Sequence, residues 1–529
     1  MIDKRGIYWR FYIFEIEKFI YCFDTIQHTI FSLNNELAEM IKKNDSKAIR
    51  LKYKKFYKSV IKSKQIKIQY PETKNCNVTI NVSNNCNLNC NYCYRNKSEQ
   101  STLSNKDLKE IMHYITQKYY PDAKQYNFSF SYTSESSLDL KQLNYFDYLI
   151  GENEGYLFDK KDLSEYDASK IFFKLPKEIQ RKYSSYNNYF YILNEILRKE
   201  KLWDFYKYDE EPYLKSVLYE GRNLSASRTI MANRKIINLY FSEFKLERPI
   251  KYHSLSFMTN GTNITDEYVN FVKSIILDTI YVSLDGPESI HNENRIYKNG
   301  KGTYKDVLSG IQKLKNAGID VIPSVVITPE HPELDIIVSH LCSLGFNKMS
   351  FNLAREKNVF NKASIDILLQ SIRNLFQKFF DDCKTGIVSN ELHMLKNTML
   401  FTSLKSIYYG IRIVARCTWG RELVIDSKGN MYHCNSTIGN LRDLIGHYSK
   451  GRKKSRVLKI PVVDKDKRCK YCYAKYLCSG TCHAEKIVGN RTNVELECYY
   501  KKNLVIENIK LYAMLHKHNL LKDFMKMIE

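Results

Sequence analysis

The sequence predicts an α/β protein: a partial (β/α)6 barrel with an N-terminal winged-helix-like module, a helical insertion and a C-terminal Cys-rich domain. Three observations lead there. From residue 77 to residue 354, apolar runs of strand length alternate with helical stretches, and that alternation requires a parallel sheet with crossover helices. Residues 1–74 have a different rhythm, three short aromatic-rich strands followed by helices. Ten of the 14 Cys stand in close or regular spacings, three of them early and seven late.

In chain order, residues 7–14, 18–23 and 29–32 read as the first three strands. Asn34 or Asn35 offers an N-cap for a helix carrying Leu37, Met40 and Ile41. A second helix places Ile49, Tyr53, Phe56 and Val60 on one face; its other face is basic, as an ordinary solvated face would be. The barrel (75–355) follows with strands at 77–82, 126–132, 254–259, 279–284, 320–328 and 348–354. Helices at 304–317 and 334–344 end at Gly318 and Gly345, the residue type that tolerates the left-handed turn after a helix. Between the second and third strands, residues 141–250 far exceed a simple crossover and read as an inserted helical subdomain. Residues 356–410 are a helical connector, 411–500 are Cys-rich and loop-rich, and 501–529 form a C-terminal helix. Ligands of such sheets sit at the C-terminal strand ends.

A chain of 529 residues with 43% apolar side chains buries a sizeable core, which excludes a disordered or disulfide-stapled miniprotein. The 82 basic against 58 acidic residues give +24, but Lys is abundant everywhere, so solvated surface explains the excess as well as an acidic partner does. No window offers ~18 uninterrupted apolar residues, and the N-terminus lacks a signal-peptide core, so no membrane partner is expected. The expected location is cytoplasmic, where regularly spaced Cys point to metal binding rather than disulfides.

Cys86-Asn-Leu-Asn-Cys90-Asn-Tyr-Cys93 directly follows the first barrel strand. Three thiolates from one loop can hold three irons of a [4Fe-4S] cubane and leave the fourth iron open. A zinc knuckle is the alternative, but it needs a fourth ligand, and the next plausible one is His113 in a helix. This C-x3-C-x2-C loop, with an aromatic residue before its third Cys, resembles the radical S-adenosylmethionine (SAM) superfamily. The resemblance implies an open iron that chelates the amino and carboxylate groups of SAM.

Thr259-Asn260-Gly261-Thr262 after the third strand, and Ser283-Leu284-Asp285-Gly286-Pro287 with His291 and Arg295 after the fourth, are similar to motifs of the branch that modifies peptides and proteins. That implies Asn260, Ser283 and Arg295 as polar contacts to SAM, although turn chemistry alone also accounts for Asn-Gly and Gly-Pro. After the second strand the family's Gly-Gly-Glu-Pro is replaced by Thr133-Ser134-Glu135-Ser136. The resemblance implies that Glu135 receives the SAM ammonium, with the Thr133 and Ser134 hydroxyls in place of backbone acceptors. The missing glycines remove the easy φ > 0 path.

Cys417, Gly429, Cys434, then Cys469-x2-Cys472-x5-Cys478-x3-Cys482 and finally Cys498 resemble the SPASM domain, which holds two auxiliary iron–sulfur clusters. The match implies Cys469, Cys472, Cys478 and Cys498 on the second auxiliary cluster, and Cys417, Cys434 and Cys482 on the first. With the SAM-binding cluster this makes three [4Fe-4S] clusters. A zinc ribbon explains the 469–482 run but leaves Cys417, Cys434 and Cys498 without roles. Residues 401–416 supply no fourth ligand to the first auxiliary cluster; Cys383 is the nearest other Cys. Cys22, Cys76, Cys342 and Cys383 otherwise read as small buried apolar residues. The N-terminal module resembles the peptide-recognition element of many such maturases, which implies that a leader segment pairs with its sheet edge.

Together these resemblances imply a radical SAM/SPASM maturase that modifies a ribosomally made precursor peptide and draws electrons from an external donor. The favoured product is a thioether, formed after a 5′-deoxyadenosyl radical abstracts hydrogen from carbon. Carbon–carbon crosslinking, epimerisation and side-chain oxidation are the alternatives within the family. A radical SAM enzyme acting on nucleic acid is the alternative from another enzyme class, and the seven late Cys argue against it; a non-enzymatic zinc-dependent nucleic-acid-binding protein is the alternative from a non-enzyme class, which metal analysis would separate by its zinc. No catalytic acid or base is assigned.

Overall fold

The structure, a computed structural model, describes residues 8–58, 75–93, 100–121, 125–130, 134–154, 169, 172–173, 177–184, 252–274, 279–355, 360–414, 422–453, 463–487 and 491–529. Thr133, Cys417 and most of the expected insertion lie outside the described residues.

The N-terminal sheet is antiparallel in the order β1-β2-β3, with β1 at Phe11–Ile16, β2 at Phe19–Asp24 and β3 at Thr29–Leu33. Asn34 caps the helix Asn35–Lys42, its side chain accepting the Leu37 N–H at 2.8 Å. The second helix, Ser46–Lys52, stops short of Val60. Tyr53 leaves helical geometry there (φ −117°, ψ 56°), and its hydroxyl donates to Glu36 at 3.0 Å, tying it to the preceding helix. Successive strand residues face opposite sides. Phe11 and Cys22 pack on Leu37, Ile41 and Ile49, while Phe14, Ile16 and Phe23 pack on Ile407, Ala474, Leu477, Val505 and Ile509. The module is therefore docked against the C-terminal region through a shared apolar core.

The large sheet has ten strands in the order β13-β12-β11-β10-β4-β5-β6-β7-β8-β9. Six of them are parallel and in sequence order: β4 (Asn75–Ile80), β5 (Gln125–Phe130), β6 (Tyr252–Thr259), β7 (Thr279–Ser283), β8 (Val321–Ile327) and β9 (Ser350–Leu353). These are the six predicted strands, shifted by a few residues at their ends. The helices Tyr304–Asn316 and Leu334–Ser343 are followed by Gly318 and Gly345 at φ +71° and +75°, as their C-terminal glycines predict.

The Cys-rich region departs from the loop-rich expectation. β10 (Glu422–Ile425) lies parallel to β4, with Glu422 opposite Asn77. β11 (Asn430–Tyr432), β12 (Gly446–His447) and β13 (Gly451–Arg452) extend the sheet antiparallel. Runs of two to four residues show no periodicity, so their partners rather than their sequence define them. The connector forms the helices Lys362–Thr385, Asn390–Leu395 and Thr402–Tyr408. The C-terminal helix starts earlier than predicted, as Arg491–Lys517, and Leu521–Ile528 follows it. Among the described residues no helix is long and apolar enough to cross a membrane.

Candidate active site at the strand ends

The chain leaves each parallel strand on the same rim of the sheet, and the candidate residues lie there. β4 leads to Cys86, Cys90 and Cys93, β5 to Ser134 and Glu135, β6 to Asn260 and β9 to Arg355, while Ser283 is the last residue of β7. Glu135 is fully buried, and its carboxylate draws these strand ends together. Oε1 accepts from the Ser137 N–H (3.1 Å), the Ser137 hydroxyl (2.9 Å) and the Thr259 hydroxyl, and Oε2 accepts from the Asn260 N–H (2.6 Å). Burial raises the Glu135 pKa, and these hydrogen bonds pull it back. Among the described residues Oε2 accepts a single bond, which leaves capacity for one further donor.

Asn260 reaches the Cys loop. Its Nδ2 lies 2.8 Å from Asn87 Oδ1 and 3.8 Å from Cys86 Sγ, and its Oδ1 accepts from the Thr262 N–H (3.0 Å) and hydroxyl (2.8 Å). The turn is tight: Gly261 has φ +79°, and a Cβ there would meet Val282 at 2.8 Å. Asn260 is thus placed between the loop and the turn, with its side chain already engaged on both.

Arg295 is buried against the same loop. Its Nε and Nη2 donate to Asp285 at 2.9 and 3.1 Å, and its guanidinium lies over the Tyr92 ring, 5.3 Å from the centroid. The Tyr92 hydroxyl also donates to Asp285 (2.7 Å), as does the Val326 N–H (2.9 Å). His291 Nδ1 accepts the Asp285 N–H at 3.2 Å; burial lowers its pKa to about 4, which keeps it neutral. Backbone bonds complete the brace, from Asn89 N–H to Ile296 (2.7 Å) and from Asn91 N–H to Asn294 (3.0 Å). The sequence marked Arg295 as a cofactor contact, whereas here two of its nitrogens are committed to Asp285. The Arg295–Asp285 pair went unread, although opposite charges ten positions apart were a usable signal; the Tyr92–Asp285 link, 193 positions apart, left none.

The three thiols fit an iron–sulfur cluster by chemistry and placement. Burial pushes the Cys90 thiol up to about 11, Arg295 pulls it down, and the adjacent Cys93 and Cys86 push it up again. Ser134 Oγ and Thr328 Oγ1 are buried at strand ends without a hydrogen-bond partner among the described residues, so both are free to bond a polar ligand there. Among the described residues no three His, Cys, Asp or Glu side chains converge on a single-ion site.

The six described late Cys fall into two neighbourhoods. Cys469 feels Cys472 and Cys478, and Cys472 feels Cys478 and Cys498; burial pushes Cys469 up to about 12. Cys434, pushed by burial to about 11, feels Cys482. Cys383 is elsewhere, buried on the helix Lys362–Thr385 with its thiol 3.9 Å from the Leu520 carbonyl.

The radical SAM superfamily model matches residues 223–337, a span that includes Asn260, Ser283, Asp285 and Arg295 but not the early Cys loop. The chain is 25% identical over 277 residues to a cysteine-type anaerobic sulfatase-maturating enzyme of Clostridium novyi, covering 48% of this chain and 71% of the relative. It is 40% identical over 62 residues to a serine-type anaerobic sulfatase-maturating enzyme of Bacteroides thetaiotaomicron, 12% of this chain and 15% of the relative. Its fold is similar to that of anSMEcpe solved with bound AdoMet and the Cp18Cys peptide, with a TM-score of 0.52 at 17% identity, over 86% of this chain and 99% of that one. Residues 223–337 thus match the radical SAM superfamily, and the fold is similar to that of anSMEcpe.

Proposed function

We propose that this protein is a radical SAM enzyme that modifies a ribosomally made precursor peptide, forming a thioether between a Cys sulfur and a carbon. The observation that carries the reading is the meeting of the Cys86 loop, Glu135 and Asn260 on one buried rim. When bound, a [4Fe-4S] cluster and SAM supply the electron and the 5′-deoxyadenosyl radical that removes hydrogen from a substrate carbon. Cys86, Cys90 and Cys93 would hold the cluster. Glu135 Oε2, with Ser134 and Thr133 beside it, would receive the SAM ammonium, and Asn260 and Ser283 would offer polar contacts. Arg295 would act through Asp285 and Tyr92 by fixing the loop. Cys469, Cys472, Cys478 and Cys498 would hold the second auxiliary cluster, and Cys417, Cys434 and Cys482 the first. With Cys383 turned toward Leu520, the first auxiliary cluster has three assigned ligands, and room for a substrate thiolate favours the thioether over the other family products. A cytoplasmic setting and an external electron donor belong to the same reading.

A second reading, maturation of a protein such as a sulfatase, is favoured by the names of the curated relatives. The test is anaerobic reconstitution, expected to give ~12 irons per chain, followed by incubation with SAM, a reductant and a Cys-containing precursor encoded nearby. Thioether formation removes two hydrogen atoms and one alkylatable Cys from the peptide. Zinc as the main metal, or a product whose Cys residues all still alkylate, would remove the thioether reading; oxidation of a sulfatase segment instead would establish the second.

The N-terminal sheet is assigned the leader of that peptide. Deleting the module would strip Phe14 and Phe23 from the C-terminal core, so binding is better read on the intact chain. Amide exchange across β3 is expected to slow when leader peptide is added. Unchanged exchange at 29–33 under saturating leader would take the recognition role away from this edge.

A further inference from the structure

We propose that Arg355 is a positioning residue that raises the reduction potential of the first auxiliary iron–sulfur cluster by donating to the Cys482 sulfur; this rests on the reading of Cys482 as one of its ligands. Arg355 leaves the barrel just beyond β9, where its Nη1 stands 3.4 Å from Cys482 Sγ and its Nε 3.7 Å from Glu485. The Cys482 N–H is held separately by Glu497 Oε2 at 3.0 Å, and Glu497 pairs with the buried Lys501. Lys501 Nζ is also spent on the Gly480 carbonyl at 3.2 Å. Two cations and two carboxylates thus surround this Cys, and the guanidinium is the group aimed at its sulfur. All four charged side chains line a cavity of about 350 Å³ whose other walls, including Phe360, Leu400 and Leu504, are largely apolar. In such surroundings a fixed positive charge acts more strongly than in water. Hydrogen bonds and positive charge at a cluster sulfur stabilise the more negative, reduced state, which is one way a protein sets cluster potential.

A purely mechanical link between barrel and Cys-rich region would not shift a potential in a sign-dependent way, so the sign is the test. In the full chain carrying Cys86→Ala, Cys90→Ala and Cys93→Ala, only auxiliary clusters remain to be titrated by potentiometric electron paramagnetic resonance at pH 8. Arg355→Met is expected to shift one cluster to lower potential and leave the other unmoved, with Arg355→Lys restoring part of the shift. Glu485→Gln, which removes the counter-charge, is expected to shift the same cluster upward, and Arg355→Lys, which keeps the charge but moves it off the sulfur, carries the test if Arg355→Met folds poorly. Unmoved potentials in iron-loaded Glu485→Gln, or a downward shift, would overturn the proposal. Reconstitution of the intact chain with only about four irons would instead remove Cys482 as a ligand, and the proposal with it.

Discussion

Replacing Cys86, Cys90 and Cys93 together with Ala is expected to abolish 5′-deoxyadenosine formation while leaving about two-thirds of the reconstituted iron, roughly eight of ~12 atoms per chain. The early thiols sit just beyond β4, whereas the late ones lie in the Cys-rich region and on the Arg491–Lys517 helix, so the two sets load independently. The loop itself should keep its path without the thiols. Asn89, Asn91 and Tyr92 hold it through bonds to Ile296, Asn294 and Asp285, none of which needs a sulfur. Chromatography of the SAM products and iron determination on the same preparation check both halves. Continued 5′-deoxyadenosine formation would disprove the cluster assignment, and loss of all iron would show that the clusters depend on one another.

Asp285→Ala is expected to destabilise the protein by about 3–5 kcal/mol, the range for breaking a buried ion pair from one side. Arg295 cannot escape by losing its proton, since a guanidinium stays charged in proteins, and here the attraction of Asp285 raises its pKa against burial. The substitution also orphans the Tyr92 hydroxyl and the Val326 N–H. The measurement is a denaturant midpoint, followed alongside iron retention in the early loop. The double variant Asp285→Ala/Arg295→Met should recover most of the loss, because the unpaired charge goes with the arginine. A single variant with an unchanged midpoint would show that this brace contributes nothing to stability.

The six parallel strands and their helices were legible because each carries its own signal, an apolar run closed by a turn residue or a helix ended by Gly318 or Gly345. The early Cys loop was legible for the same reason, being a local spacing. What remained hidden are partnerships across distance. Tyr92 meets Asp285 across 193 positions, Glu135 meets Asn260 across 125, and Arg355 meets Cys482 across 127. Periodicity reports that a face is buried but not what covers it, so the pairing of Arg295 with Asp285 could not be read from the family pattern. β10 was illegible on the same grounds, since four residues of Glu422–Ile425 become a strand by lying beside β4. Tyr53 shows the opposite failure: its spacing was helical, and a hydroxyl bond to Glu36 goes with the break.

The place of β10 beside β4 also sets an order of events on the ribosome. The Asn81 side chain, at the end of β4, donates to the Ile425 carbonyl 344 residues later. At translation rates of about 5–20 residues per second, that neighbour emerges on the order of tens of seconds after β4 itself. Until then the nascent barrel carries an open edge, the kind of surface that recruits other chains. The early Cys loop, in contrast, finds Asp285 and Ile296 well before β10 is made. A newborn chain therefore gains the frame for its early Cys loop while still attached, and covers the edge of β4 once the Cys-rich region has been synthesised.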